Sequence, residues 1–155
     1  VKQEKLFKSE LLWFKVSKFN QEARKIADRH YSRQSVGDKQ FVAPGETIVL
    51  LSYDLKALFV WRKAKYRQDN QKGVECTIFR NEGKSLSSDL IKEAEQFAWK
   101  RWKNERLFTY IDSDKIKSTN PGHCFIKAGW KKVNGYRSKI HKLILFEKRG
   151  RLNEY

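Results

Sequence analysis

The 155-residue chain has two cysteines, two prolines and no methionine. Cys76 and Cys124 are too few for a disulfide framework, and sparse thiols of this kind are usually small buried hydrophobes. Pro44 and Pro121 stand alone, and there is no repeat, low-complexity tract or Gly/Pro-rich linker, so residues 1–155 are expected to form a single domain. Long hydrophobic runs are also missing. Residues 11–14 and 143–146 are among the longest, far too short to span a membrane. Lys2, Glu4 and Lys5 stand where a signal peptide would carry its apolar core, so the expected location is cytoplasmic. Acidic residues are scarce: 18 Asp plus Glu face 34 Lys plus Arg, a formal charge of +16. Such an excess repels itself, and a polyanionic partner relieves the repulsion; DNA and an anionic cofactor both fit. What is plentiful is apolar matter, 39% hydrophobic and 14% aromatic, which excludes a disordered chain.

The apolar residues fall into two periodicities. Residues 11–19 (LLWFKVSKF) read as a strand; Asn20 then suits a helix cap, with Ala23, Ile26 and Ala27 at helical spacing. After a loop at 35–45 come three strand candidates, 47–53, 56–61 and 74–80, which read as an antiparallel meander. Leu90, Ile91, Ala94, Phe97, Ala98 and Trp102 recur at steps of three and four, an amphipathic helix that Ser87 or Ser88 can cap. Residues 106–112 (RLFTYID) read as a buried strand, which makes 74–112 a βαβ unit with parallel strands. A short helix over 121–127 ends at Gly129, and Asn134-Gly135 turns a hairpin between 131–133 and a strand reaching 147. The expected fold is α/β (α+β): a mixed, largely antiparallel sheet in the order β-α-β-β-β-α-β-α-β-β.

The turn between the third meander strand and the long helix reads Phe79-Arg80-Asn81-Glu82-Gly83-Lys84-Ser85-Leu86-Ser87-Ser88. Amides at a helix start bind phosphate oxygens with help from the helix dipole. Gly83 admits a close backbone approach, Arg80 and Lys84 add positive charge, and the serines offer hydroxyls. An ordinary capped βα turn uses the same residues.

Two spacings resemble those of the GNAT superfamily of acyl-CoA N-acyltransferases. Arg80, Gly83 and Ser85 fall on its pyrophosphate-loop pattern, Arg/Gln-x-x-Gly-x-Gly/Ala. Asn120, Phe125, Lys127, Gly129 and Trp130 follow the spacing of its Asn-x4-Tyr-x-Lys-x-Gly-Phe signature. The resemblance covers about residues 47–147 and implies a splayed parallel strand pair in the sheet. It implies acetyl-CoA or another acyl-CoA as cofactor, with pantetheine along Cys76, Ile78 and Phe79. Arg80, Gly83, Lys84 and Ser85 would then hold the pyrophosphate, and Asn120, Phe125 and Lys127 would lie at the cofactor. Ser85 departs from the usual small residue, and Phe125 occupies the position of the tyrosine that in many members protonates the departing thiolate. A narrower resemblance, to the Mom-like phage DNA adenine-modification proteins, rests on four segments: His30-Tyr31-Ser32, Phe79 to Gly83, Thr109-Tyr110-Ile111-Asp112, and Asn120 to Phe125. It implies transfer of a carbamoylmethyl-type group to adenine N6 in DNA.

Acyl transfer to nitrogen needs donors for the developing oxyanion and a base for the amine proton. Asp112, at a strand end, is the favoured base, and it is equally suited to capping the following turn. His30, Tyr31 and Ser32 are candidates for contacting an acceptor or for acid–base work, although His30 also suits a helix end. His123 can serve the thiolate side or be an exposed turn residue. No metal site is expected, because His30, His123 and His141 are far apart and no Cys/His pair has zinc-type spacing.

Positive charge clusters at Arg62, Lys63, Lys65 and Arg67, beside Tyr66, and again at Lys131, Lys132, Arg137 and Lys139, beside Trp130 and Tyr136. Cations interleaved with aromatics suit a nucleic-acid backbone and its bases, DNA above all, and a base in a duplex would have to be flipped out. A solvated basic face serving coenzyme phosphates has the same composition. The leading expectation is an acyl-CoA-dependent enzyme modifying an amine on nucleic acid. The competitors are an N-acetyltransferase of a small amine or protein, and a non-catalytic nucleic-acid-binding module on the same scaffold. Nothing in the sequence speaks to oligomeric state.

Overall fold

A computed structural model describes residues 12–33, 35–115, 121–136 and 143–150. The fold is mixed α+β, a seven-stranded, mostly antiparallel sheet with three helices among the described residues. The elements are β1 (Trp13–Val16), α1 (Gln21–Asp28), β2 (Glu46–Ser52), β3 (Ala57–Lys63), β4 (Val74–Asn81), α2 (Ser87–Arg101), β5 (Leu107–Asp112), α3 (His123–Lys127), β6 (Lys131–Lys132) and β7 (Leu143–Lys148). Their order is the one the periodicities imply. In the sheet they stand β1-β2-β3-β4-β5-β7-β6. Only β4 and β5 pair in parallel, joined by the α2 crossover that a parallel pair requires.

Helices on both faces explain why the central strands are apolar throughout rather than alternating. Ile48, Leu50, Phe59 and Trp61 face the larger core with Leu90, Ile91, Ala94 and Ala98 of α2. Val49, Leu51, Leu58 and Val60 face a smaller core with Ala23, Ile26 and Ala27 of α1. Two indoles tie α2 down through its carbonyls: Trp13 Nε1 donates to Leu90 O at 2.7 Å and Trp61 Nε1 to Ala94 O at 2.9 Å. Asn20 caps α1 as expected, its Oδ1 accepting the Ala23 amide at 2.9 Å. The capping of α2 differs from expectation. Its N-cap is Leu86, without a side-chain cap; Ser87 is the first helical residue, and its hydroxyl accepts a hydrogen bond from Asn81 Nδ2.

One irregularity shapes the centre of the sheet. Val60 pairs with Ile78 but Trp61 pairs with Cys76, so Thr77 is an extra residue, a β-bulge. Before it, Val74 and Cys76 face the α2 core; after it, Ile78 faces the α1 core and Phe79 packs on the α2 side. A one-residue insertion exchanges the faces of everything beyond it.

Candidate active site

β4 and β5 are hydrogen-bonded as a ladder only over Val74↔Leu107, Glu75↔Phe108 and Cys76↔Thr109. Beyond that rung they part, β4 running on to Asn81 and β5 to Asp112. The bulge at Thr77 sits at the point of divergence. The edge of β4 facing β5 therefore has no ladder partner from Thr77 onward among the described residues. A cavity of about 370 Å³ fills the wedge, floored by Cys76, Thr77 and Thr109. His30 and Tyr31 wall one side; Gly122, Cys124 and Phe125, at the start of α3, wall the other. Gly122 is fixed by this packing: its φ is +81°, and a Cβ there would lie 2.6 Å from the Phe146 ring and 2.9 Å from Ile111 Cδ1.

The His30-Tyr31 segment is held at the cavity by its own contacts. The two rings stack at 4.3 Å. The Ser32 amide donates to His30 Nδ1 at 3.2 Å, and the Ser32 hydroxyl lies 2.7 Å from the same nitrogen. A backbone donor at Nδ1 assigns the ring proton to Nε2. Burial, with the Arg80 charge added, pulls the imidazole pKa down to about 4, so the ring is neutral near pH 7 and presents an N–H donor. Burial pushes the Tyr31 phenol up, and a hydrogen bond from the Asp112 backbone amide opposes the rise.

The other expected catalytic residues are placed differently. Asp112 is buried, but its Oδ1 accepts the Asp114 amide at 3.0 Å, and it does not line the cavity. The carboxylate serves as a turn cap. His123 is exposed at the cavity rim. Phe125 is buried, edge-on to Phe79 at 5.9 Å and to Trp130 at 4.8 Å. The Cys76 thiol is buried in the core, donates to Ile78 O, and has its pKa pushed up chiefly by burial. The Cys76 carbonyl accepts from Thr109 Oγ1 at 2.9 Å. The free strand edge thus starts one residue later than the expected one. The Ile78 side chain points into the α1 core, which leaves only its backbone to a ligand. Lys127 is exposed at the end of α3, and Asn120 lies outside the described residues.

The βα turn is more internally bonded than its sequence implies. The Glu82 amide donates to Lys56 O at 2.8 Å and the Gly83 amide to Asn81 Oδ1 at 3.0 Å. Asn81 Nδ2 donates to Ser85 O at 2.7 Å. Gly83 is therefore not an open amide, and its φ is not in the left-handed region. Its lack of a side chain has another reason: a Cβ would meet Asp54 Oδ2 at 2.6 Å and Lys56 Cβ at 3.2 Å. The open amides lie further on. The amides of Asp89 and Leu90 return to Leu86 O, which leaves those of Ser87 and Ser88 without an acceptor among the described residues. Lys84 and Ser85 are exposed beside them. Arg80 Nε donates to Glu82 Oε2 at 2.6 Å, and Arg29 grips both Glu82 oxygens at 2.7 Å. These two guanidiniums hold the Glu82 carboxyl down to about 2, Arg29 first. Arg29 is 53 residues from Glu82 and no local pattern announces it; nor does any pattern announce the bulge at Thr77.

The basic cluster is partly structural. Arg67 Nη2 pairs with Asp69 at 2.6 Å and Nη1 with Glu75 at 2.7 Å, and its guanidinium lies over the Phe108 ring. It is an internal ion pair rather than a surface cation. Lys63 pairs with Glu105 at 2.6 Å, and Arg62 Nε donates to Pro44 O at 2.8 Å. Lys65 and Tyr66 are open, Tyr66 with 83% of its surface exposed. Lys131 and Lys132 are exposed on β6, while Arg137 and Lys139 lie outside the described residues. Trp130 is core, its Nε1 donating to the buried Glu95 at 2.8 Å, so it offers no stacking face. Among the described residues no group of three His, Cys, Asp or Glu side chains could hold a metal ion, and no helix is long and apolar enough to cross a membrane.

No protein-family model matches the chain, and no characterised protein matches it significantly.

Proposed function

We propose that the chain is an acyl-CoA-dependent N-acyltransferase of the GNAT kind acting on an amine of nucleic acid, with adenine N6 of phage or prophage DNA as the acceptor. One observation carries the reading: the β4–β5 ladder stops at Cys76↔Thr109 and a cavity opens there. An unpaired strand edge is a ready partner for the amide groups of an extended pantetheine arm. The Ser87 and Ser88 amides, with Lys84 and Arg80 beside them, suit the diphosphate. The Glu82 carboxylate in the same turn opposes an anion and must be outweighed.

Coenzyme A thioester would supply the activated acyl carbon. The residues of the chain then have separable tasks. Phe79, Ile111 and Phe125 give the wedge an apolar wall for the acyl group. Neutral His30 offers its Nε2–H to an oxygen in the cavity, and Tyr31 stacks on it. In the transfer the amine nitrogen bonds to the acyl carbon, the carbon–sulfur bond breaks, the amine loses a proton to solvent, and the thiolate regains one from water. Lys65 and Tyr66, the open members of the basic cluster, are the nucleic-acid contacts.

A second reading rests on Phe125. Buried edge-on against Phe79, it has no proton to give a leaving thiolate, which favours a non-catalytic nucleic-acid-binding module. Two measurements separate the readings. Thermal unfolding with and without acetyl-CoA should show stabilisation for the enzyme and none for the module. Mass spectrometry of nucleosides from cells expressing the protein should show an adduct on adenine. DNA without any adduct removes the proposed acceptor.

A further inference from the structure

A second cavity, of about 450 Å³, lies among residues 32–33 and 35–43, and Thr77 lines both cavities. Its walls include Ser32, Gln40 and Phe41. Thr77 is the bulged residue at which the strands diverge, and its Oγ1 is buried without a hydrogen-bond partner among the described residues. A buried hydroxyl in that state is costly, and valine has the same shape without the cost. Bulges recur where a side chain has been re-aimed at a site.

The other polar side chains of β4 and β5 at the wedge are already committed. Thr109 Oγ1 donates to Cys76 O, the Cys76 thiol to Ile78 O, and the Tyr110 hydroxyl to Asp69 Oδ2. We propose that the Thr77 hydroxyl is the hydrogen-bond donor for the carbonyl oxygen of the bound acyl group, on the one residue of the bulge that lines both cavities. The inference rests on the acyltransferase reading and adds to it a substrate-contacting residue. A thioester laid along the free edge of β4 brings its carbonyl to the end of the ladder, and Thr77 is the first residue past it. An acyl carbonyl satisfies the orphan hydroxyl; coenzyme A without an acyl group does not.

The test is calorimetric titration of wild type, Thr77→Val and Thr77→Ser with coenzyme A and with acetyl-CoA. Thr77→Val should bind coenzyme A within about twofold of wild type and acetyl-CoA about 10-fold more weakly, while Thr77→Ser keeps the wild-type preference. Free Thr77→Val should also unfold at a higher temperature than wild type, a shift that a structural hydroxyl would reverse. Thr77→Ala supplies a second hydroxyl-free variant if valine perturbs the bulge. Equal losses for the two ligands, or none, overturn the assignment of Thr77 and leave the acyltransferase reading standing. Wild type that binds neither ligand overturns both.

Discussion

The Thr109 hydroxyl donates to the Cys76 carbonyl at 2.9 Å across the last rung of the parallel ladder, where β4 and β5 begin to diverge. Both residues are buried. Thr109→Val keeps the shape and removes the donor. The expected cost is about 1–2 kcal/mol, the usual result of stranding a buried acceptor. Urea unfolding should show a lower midpoint with an unchanged slope. The neighbouring Thr77→Val, which removes an orphan hydroxyl, should move the midpoint the other way.

The neutral state of His30 gives a second expectation. Its pKa falls from the ordinary 6.5 to about 4, burial first and Arg80 second. Between those values the unfolded chain binds a proton that the folded chain refuses. The stability linked to His30 is therefore complete above about pH 6.5 and is lost as pH falls toward about 4. An NMR titration should place the His30 midpoint near 4, with nitrogen shifts of the Nε2–H tautomer at pH 7. Arg80→Met should raise that midpoint by removing the second cause, and His30→Gln should flatten the pH dependence of stability across this window.

Most of the fold was legible because the central strands carry apolar residues on both faces and α2 has a long three-and-four spacing, signals that local sequence records directly. The parallel pairing of β4 with β5 followed from the βαβ order. The bulge was not legible. Val-Glu-Cys-Thr-Ile-Phe-Arg contains no glycine or other marker, and the extra residue appears only in the register with β3. The turn between β4 and α2 was half legible. Its residues are in the expected places, but Asn81 and Glu82 spend their groups inside the turn, and Arg29 arrives from a distant helix end. Asp112 had two chemically reasonable uses, base and cap; its Oδ1 accepts the Asp114 amide, as a cap does.

The basic cluster should split on mutation. Arg67 bridges two carboxylates with only 15% of its side chain exposed, so Arg67→Ala should cost about 3 kcal/mol by taking the bridging cation from Asp69 and Glu75. Lys65→Gln and Tyr66→Ala touch an open surface and should leave the unfolding midpoint within about 0.5 kcal/mol of wild type. Fluorescence anisotropy with single-stranded DNA should rank them in the opposite way. Tyr66→Ala should weaken binding at every salt concentration, as loss of a stacking face does. Lys65→Gln should also reduce the slope of affinity against salt by about one ion. DNA binding indifferent to both would place the interface elsewhere.

Glu82 holds Arg29 and Arg80 together at 2.7 and 2.6 Å, and its carboxyl, drawn down to about 2, is fully ionised at pH 7. A diphosphate bound at this turn must therefore compete with a resident anion for the same two cations. Glu82→Gln keeps the side-chain shape and one acceptor oxygen but removes the charge, so both guanidiniums regain positive potential toward a ligand. Coenzyme A should then bind about threefold more tightly at low salt, with the gain shrinking as salt is added. The same variant should lose the part of acid stability tied to Glu82. That part is present above about pH 4.5 and disappears as pH falls toward about 2. The two readouts are independent: the pH profile reports that Glu82 is paired, and the titration reports whether its partners face the ligand. An altered pH profile with unchanged or weaker coenzyme A binding would show that Arg29 and Arg80 do not hold the diphosphate, and would move that group toward Lys84 and the amides of Ser87 and Ser88.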